Sequence, residues 1–405
     1  MSEKVPHPRG DAPHAGSAEP VRALPMAGLT FVCSLGTGVL WNAIYFIAES
    51  EYGFTQDDTL LLAFVSGIFY TIVAVSAGWI VRSLERHMTP RSALALVLIA
   101  QAVIAPLVLV FPGVATLWIT TVVMMSLGAL QWPIVQHYLV SGRHGHAMRN
   151  SIGWFNASWM AATAIGLAAV GPLKAANLMS WAIPSLLPVN LIALLFLARF
   201  PSVPAVHDDL ETARHVPPSY TPLLAASRVL HPMGYLVIGA LAPILTYLFQ
   251  SIGTDPALQA PLGSIWHVAR FAAVIVLWRA AFWHGRGATL VVAGILLAGG
   301  FATAVGAGTE AVLAIGLVGI GVGQGIIYYC AIYYGLAVGG AKVDAGGLHE
   351  ALVGAGYFLG PLLGLATFSL GFGPPVFIGV VLGALTAGFV VSLIRAGRLK
   401  SQRTA

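Results

Sequence analysis

The sequence predicts an all-α polytopic membrane protein: twelve transmembrane helices in two pseudo-symmetric six-helix bundles, with both termini cytoplasmic. Three observations predict it. Of 405 residues, 58% are hydrophobic and 9% charged, where a soluble chain carries about 25% charged; mean hydropathy is +0.84. Cutting the chain at charges, Gly/Pro clusters and polar runs leaves stretches of about 20 apolar residues, the length that crosses a hydrocarbon core of roughly 30 Å as a helix. Finally, the basic residues fall almost entirely on one side of the membrane that this cut defines.

Residues 1–22 are polar and rich in Pro, His and Ala, with no short apolar region and cleavage site behind them. They read as a disordered cytoplasmic tail rather than a signal peptide. The first six apolar stretches run over about 23–48, 59–81, 91–111, 114–140, 151–173 and 180–200, so an N-terminal bundle is expected over 23–200. Residues 201–230, with Asp208, Asp209, Glu211 and Arg214, form the longest polar interruption and read as a cytoplasmic linker, its stretch 222–230 a candidate short helix in the membrane surface. Six more stretches, about 231–250, 264–284, 287–307, 310–336, 347–369 and 374–396, make a C-terminal bundle over 231–396. A basic cytoplasmic tail, 397–405, closes the chain.

Orientation follows from the Lys/Arg bias of short loops. With the N-terminus cytoplasmic, 18 of the 20 Lys and Arg fall inside; only Lys174 falls outside, and only Arg270 lies within a span. The first outer loop carries Glu49, Glu51, Asp57 and Asp58 and no basic residue. The net charge of +5 is therefore topological, and a nucleic-acid partner is excluded. Cys33 and Cys330 lie in apolar runs, where burial explains them without a disulfide or metal.

Internal repeats build many transporter folds, and spans four and five resemble spans ten and eleven. Gly128 and Gln131 match Gly321 and Gln324, Tyr138 matches Tyr333, and Asn156 and Gly166 match Glu350 and Gly360, at a shift of 193 to 195 residues.

Soluble-enzyme motifs reduce to near misses. The run Gly319-Ile-Gly-Val-Gly323-Gln-Gly325 lacks a flanking strand and reads as close helix packing. His349-Glu350 opens a zinc-protease pattern whose second histidine position is Val353. No catalytic residue, metal or cofactor is expected. What remains are polar groups at membrane depth, which mark pathways. Arg270 sits about six residues from the outer end of its span, roughly 9 Å deep; it is a candidate anchor for an anionic substrate group or a gate, its structural alternative being a bond to helix carbonyls. Glu350, beside His349, is the candidate for proton coupling or an inner gate, its alternative being a first-turn acid that favours the helix dipole. Lying toward opposite sides of the membrane, Arg270 and Glu350 are not expected to pair directly. Gln131 with Tyr138, and Gln324 with Tyr328, share helix faces; Asn42 and Tyr247 would complete a polar-lined central space. Asn156, the repeat-mate of Glu350, reads equally as interhelical glue.

Twelve spans, cytoplasmic termini, a central loop and a duplicated six-helix unit resemble the major facilitator superfamily of secondary transporters. The loop from Gly78 through Arg82 and Arg86 to Arg91 looks like that family's Gly-x-x-x-Asp-Arg-x-Gly-Arg-Arg loop, with Arg82 at the acidic position and Pro90 before the last arginine. Gly356-Tyr-Phe-Leu-Gly360-Pro361-Leu-Leu-Gly364 is similar to the family's antiporter motif, expected in span five, where Gly166 to Pro172 is an approximate counterpart. The stretch from Tyr333 to Gly364, with an arginine in span eight, looks like a little-characterised bacterial branch. The resemblance implies that spans one, four, seven and ten line a cavity. It also implies that spans two and five meet eight and eleven, which sets Asn156, Arg270 and Glu350 near the seam between the halves. It further implies a multi-pass inner-membrane protein, expected as a monomer, that moves a small organic solute by alternating access with proton coupling at Glu350. The competing reading is a non-transporting membrane receptor or scaffold that retains the fold.

Overall fold

The structure, a computed structural model, describes residues 19–206, 217–339 and 343–404. The expectations for residues 1–18, for Asp208, Asp209, Glu211 and Arg214 of the linker, and for Ala405 fall outside them. All regular structure among the described residues is helical. Six helices precede the linker: α1 (Ala23–Tyr52), α2 (Gln56–Leu84), α3 (Pro90–Val110), α4 (Val114–Val140), α5 (Gly145–Ala168) and α6 (Met179–Leu197). Six follow it: α7 (Tyr220–Ser251), α8 (Pro256–Arg279), α9 (Ala288–Val305), α10 (Glu310–Gly339), α11 (Val343–Phe368) and α12 (Pro374–Thr404).

Eleven of these are long and apolar enough to cross a membrane. The exception is α5, which Arg149, Asn150, Ser151, Asn156 and Ser158 dilute, yet it packs against α1 and α8. Two boundaries differ from expectation. The stretch 222–230 is not a separate surface helix: it forms the first turns of α7, because Leu223, Leu224, Ser227 and Leu230 are buried and draw it onto the body of the protein. Residues 397–404 continue α12 as helix. At the start of α2, Asp58 proves to be a cap: Thr55 and Asp58 exchange hydrogen bonds at 2.9 and 3.3 Å in a capping box.

The helix pairing repeats. The pairs α1·α5, α1·α6, α2·α4, α3·α4 and α3·α6 recur as α7·α11, α7·α12, α8·α10, α9·α10 and α9·α12, while α2·α11, α4·α11 and α5·α8 join the two sets. The repeat-mates Gly166 and Gly360 occupy equivalent crossings. A Cβ on Gly166 would sit 2.6 Å from the Leu35 carbonyl oxygen of α1, and one on Gly360 would meet Leu236 and Ala240 of α7, so only glycine lets these backbones touch. The leading helix of each set is broken mid-way. In α1 the break is a π-helical turn, Val39–Ala43; in α7 it is a 3-10 turn, Ala242–Ile244.

Bonds cross the seam at both ends. At one end Tyr247 donates to the Phe54 carbonyl at 2.8 Å, Thr59 to the Pro243 carbonyl at 2.8 Å and Gln250 to Glu49 at 2.9 Å. At the arginine-rich end Arg82 pairs with Asp344 at 2.6 Å, and Arg149 donates to the Trp278 carbonyl at 2.8 Å.

Candidate functional site

Between these closures lies a void of about 30 Å³, lined from α1, α2, α4 and α5 by Thr37, Trp41, Tyr70, Trp132, Phe155 and Trp159, and from α7, α10 and α11 by Tyr235, Tyr328, Glu350, Val353 and Tyr357. The π-turn of α1 carries Trp41 into it, as such turns do at functional sites. Trp41 lies 3.9 Å from Tyr357 and 4.8 Å edge-on from Tyr70. Trp159 stacks on Tyr328 across the seam, at 5.2 Å and 6°.

Arg270 of α8 is 1% exposed. Its guanidinium lies 4.2 Å from the Trp159 ring, 4.7 Å from Tyr328, 5.6 Å from Tyr235 and 5.9 Å from Trp266, and it donates to the Tyr235 hydroxyl at 2.9 Å. Ring faces attract a desolvated cation by about 2 kcal/mol each. No acid pairs with it among the described residues, and its Nε has no hydrogen-bond partner. A buried cation without an anion is under-compensated by several kcal/mol.

Glu350 of α11 faces the other half of the seam. It accepts from the Tyr70 hydroxyl of α2 at 2.6 Å and from the Gln136 amide of α4 at 2.5 Å. Both donors belong to the first set of helices and both are buried. The acid thus ties α11 to two helices of the opposite set with charge-assisted bonds, the stronger kind. Arg270 does the same on the other side by stacking on Trp159 of α5.

Behind Tyr235 and Tyr328 lies a set of unpaired polar groups. His231 stacks on His349 at 4.4 Å, and on α8 His267 lies tilted against its neighbour Trp266, ring centroids 3.5 Å apart. Both ring nitrogens of His231 and of His267, Nε2 of His349 and the amide of Gln324 have no hydrogen-bond partner. Orphaned polar groups at this density mark a place where water or a ligand belongs.

The sequence-expected residues distribute unevenly. Glu350 and Tyr328 line the void, while Arg270 stands behind its wall against Trp159, Tyr235 and Tyr328; the sequence puts Arg270 and Glu350 toward opposite sides of the membrane, and they do not pair. Asn42, Gln131, Gln324, Tyr138 and Tyr247 are not among the lining residues. Tyr138 is a correction: its hydroxyl donates to the Pro201 and Ser202 carbonyls and its ring packs on Phe200, anchoring the end of α6. Tyr247 serves the far closure instead. Asn156 donates to the Ile152 carbonyl of its own helix at 2.8 Å. The lining residues of α1, α4 and α7 are the aromatic neighbours Trp41, Trp132 and Tyr235, which a criterion of polarity passes over. Gln136 escapes the same criterion, although a glutamine three residues after Pro133 inside an apolar span is a legible signal.

The fold is shared with a solved structure, the crystal structure of the human organic anion transporter MFSD10 (TETRAN), at a TM-score of 0.65 and 13% identity over 93% of this chain and 98% of that one. At that identity the likeness establishes the shared fold alone. No protein-family model matches the chain, and no curated protein sequence matches it.

Proposed function

We propose that this chain is a secondary active transporter that moves a small organic anion across the cell inner membrane by alternating access, with Glu350 as the proton-coupled seam gate. The observation that carries it is Arg270: a buried cation, caged by four aromatic rings, with no acidic partner among the described residues, three of those rings lining a void shared by both sets of helices. An arginine of that kind recognises a carboxylate or sulfonate, and the rings favour a flat or apolar body on the same molecule. The orphaned nitrogens of His231, His267 and His349 offer it further polar partners. The human fold neighbour, an organic anion transporter, handles solutes of the same charge class.

In this reading α5 spans the membrane as a twelfth helix, both termini are cytoplasmic, the arginine-rich end faces the cytoplasm, and residues 23–200 and 231–396 act as two six-helix bundles. The chain works as a monomer. A void of about 30 Å³ holds no solute, since ligand sites run to about 300–1,000 Å³; with bonds across the seam at both ends, the conformation is a sealed one. Rocking the bundles apart separates Trp159 from Tyr328 and enlarges the void. Protonation of Glu350 replaces two charge-assisted bonds by neutral ones, weakening the α2–α4–α11 tie by about 1 kcal/mol per bond, so proton binding favours opening.

The test is counterflow in proteoliposomes over a panel of aromatic and aliphatic carboxylates, with matched cations and sugars. Exchange of an anion by the native chain and its loss in Arg270→Ala support the reading; a native chain that exchanges none, or an Arg270→Ala variant that exchanges as well, overturns it. The dense aromatic filling of the void favours one second reading, a receptor or scaffold that retains the fold without transport. Single cysteines that label from one side only, under every solute and pH, favour that reading.

A further inference from the structure

A second cavity lies on the seam, away from the aromatic void. It is a cleft of about 340 Å³ between α5 and α8 at the arginine-rich end, lined by His146, Arg149, Asn150, Trp154, Trp278 and Arg279. Its two cations are held in place: Arg149 donates to the Trp278 carbonyl at 2.8 Å, and the Arg279 guanidinium lies 4.8 Å from the Trp278 ring. Trp154 braces that ring from α5, edge-on at 5.1 Å. Neither arginine has an ion-pair partner among the described residues.

A separate apolar groove of about 590 Å³ runs along α8 and α10, lined among others by Val268, Val276, Leu277, Phe282, Val318 and Ile326; Leu277 and Phe282 flank the cleft residues Trp278 and Arg279 in the chain. Val268, Val276 and Phe282 are more than half exposed, and Phe282 stands three residues beyond Arg279. A cationic pocket and an apolar trough that draw neighbouring residues of the same helix end match a molecule with a phosphate head and an acyl tail. The tryptophans of the cleft, Trp154 and Trp278, suit the headgroup level of a bilayer, and basic pockets between helices on the cytoplasmic face hold anionic lipid headgroups.

We propose that the cleft between α5 and α8 binds the phosphate headgroup of an anionic phospholipid, with one acyl chain lying in the α8–α10 groove. The lipid would then bridge the two sets of helices beside Trp278. The assignment to the cytoplasmic leaflet rests on the orientation proposed above; the binding itself does not.

The test uses the full chain, purified in detergent, with phosphatidylglycerol, phosphatidylcholine, or inorganic phosphate with glycerol 3-phosphate, read by native mass spectrometry for bound lipid and by thermal shift. The native chain is expected to retain phosphatidylglycerol over phosphatidylcholine. Each arginine contributes about fivefold, so Arg279→Gln loses about fivefold in affinity and Arg149→Gln with Arg279→Gln about 25-fold. Arg279 is exposed and, among the described residues, its side chain meets the fold through the Trp278 ring, which keeps the single variant interpretable if the double variant unfolds. Arg22→Gln, which removes an exposed cation at the same end, is expected to leave affinity unchanged. Native affinity in Arg279→Gln, an equal loss in Arg22→Gln, or equal stabilisation by the soluble phosphates overturns the proposal. These outcomes do not depend on transport, and a failed counterflow assay leaves them readable.

Discussion

Glu350→Ala is the sharpest perturbation of the seam. It removes the acceptor shared by the Tyr70 hydroxyl and the Gln136 amide, both about 2% exposed. Each buried group left unpaired costs about 1–3 kcal/mol, so the sealed conformation loses about 2–6 kcal/mol, with tenfold in population for every 1.4 kcal/mol. Glu350→Gln behaves differently. Its carbonyl still accepts from Gln136, and its NH₂ donates to a Tyr70 hydroxyl that rotates to accept; only charge assistance is lost, about 2 kcal/mol over two bonds. The assay is alkylation of Val353→Cys, which lines the void, in a background lacking the buried Cys33 and Cys330, alongside the melting temperature in nanodiscs. Alkylation is expected to accelerate tenfold or more in the alanine variant, less in the glutamine variant, with melting temperatures in the reverse order. If Glu350→Ala matches the native chain in both readouts, or if Glu350→Gln is as damaging as Glu350→Ala, these two bonds do not hold the seam.

Arg270→Lys keeps the charge but loses the flat guanidinium that stacks on Trp159 and Tyr328; anion affinity is expected to fall at least tenfold by thermal-shift titration. The exposed Arg82–Asp344 pair, 60% exposed on each side, is expected to show a double-mutant coupling below about 1 kcal/mol that fades with salt. His284, in the loop between α8 and α9 with Nδ1 2.6 Å from the Tyr220 hydroxyl, is pushed down to about 4 by burial first and by Arg149 second. A lowered folded-state value contributes stability that is present above the ordinary imidazole range near 6.5 and lost as pH falls toward 4, so the melting temperature is expected to drop over that window and less so in His284→Gln. Gly166→Ala, whose Cβ meets Leu35 at 2.6 Å, is expected to force α5 off α1 and to cost about 1–3 kcal/mol in a denaturation measurement.

The repeat was legible because it rests on spacing. Gly166 and Gly360 stand at matched positions in the sequence, and in the structure both let α5 and α11 touch the leading helix of their own set. The lining of the void was less legible. Expecting polar groups at membrane depth picked Asn42 and Gln131, whereas the void is lined by their neighbours Trp41 and Trp132. A step of one residue turns a helix by about 100°, and the π-turn at Val39–Ala43 shifts that phase again, so sequence cannot say which face looks inward. Tyr247 lies beyond the break at Ala242–Ile244, which commits it to the closure rather than to the void.

Hydropathy, span length and charge bias sum locally along the chain, and each residue contributes to them whatever its distant neighbours are. For that reason the all-helical fold with its membrane-length apolar helices and the two unusual charges, Arg270 and Glu350, were readable from sequence alone. Their circumstances were not. Glu350 meets Tyr70 across 280 residues and Gln136 across 214, and Arg270 meets Trp159 from the other set of helices. Only the crossing of α2 with α11 and of α5 with α8 brings an acid into one aromatic void and a cation against its wall, unpaired with each other and each touching the opposite half. In a low-dielectric interior the partner decides what a charge does, and partners are chosen by tertiary packing.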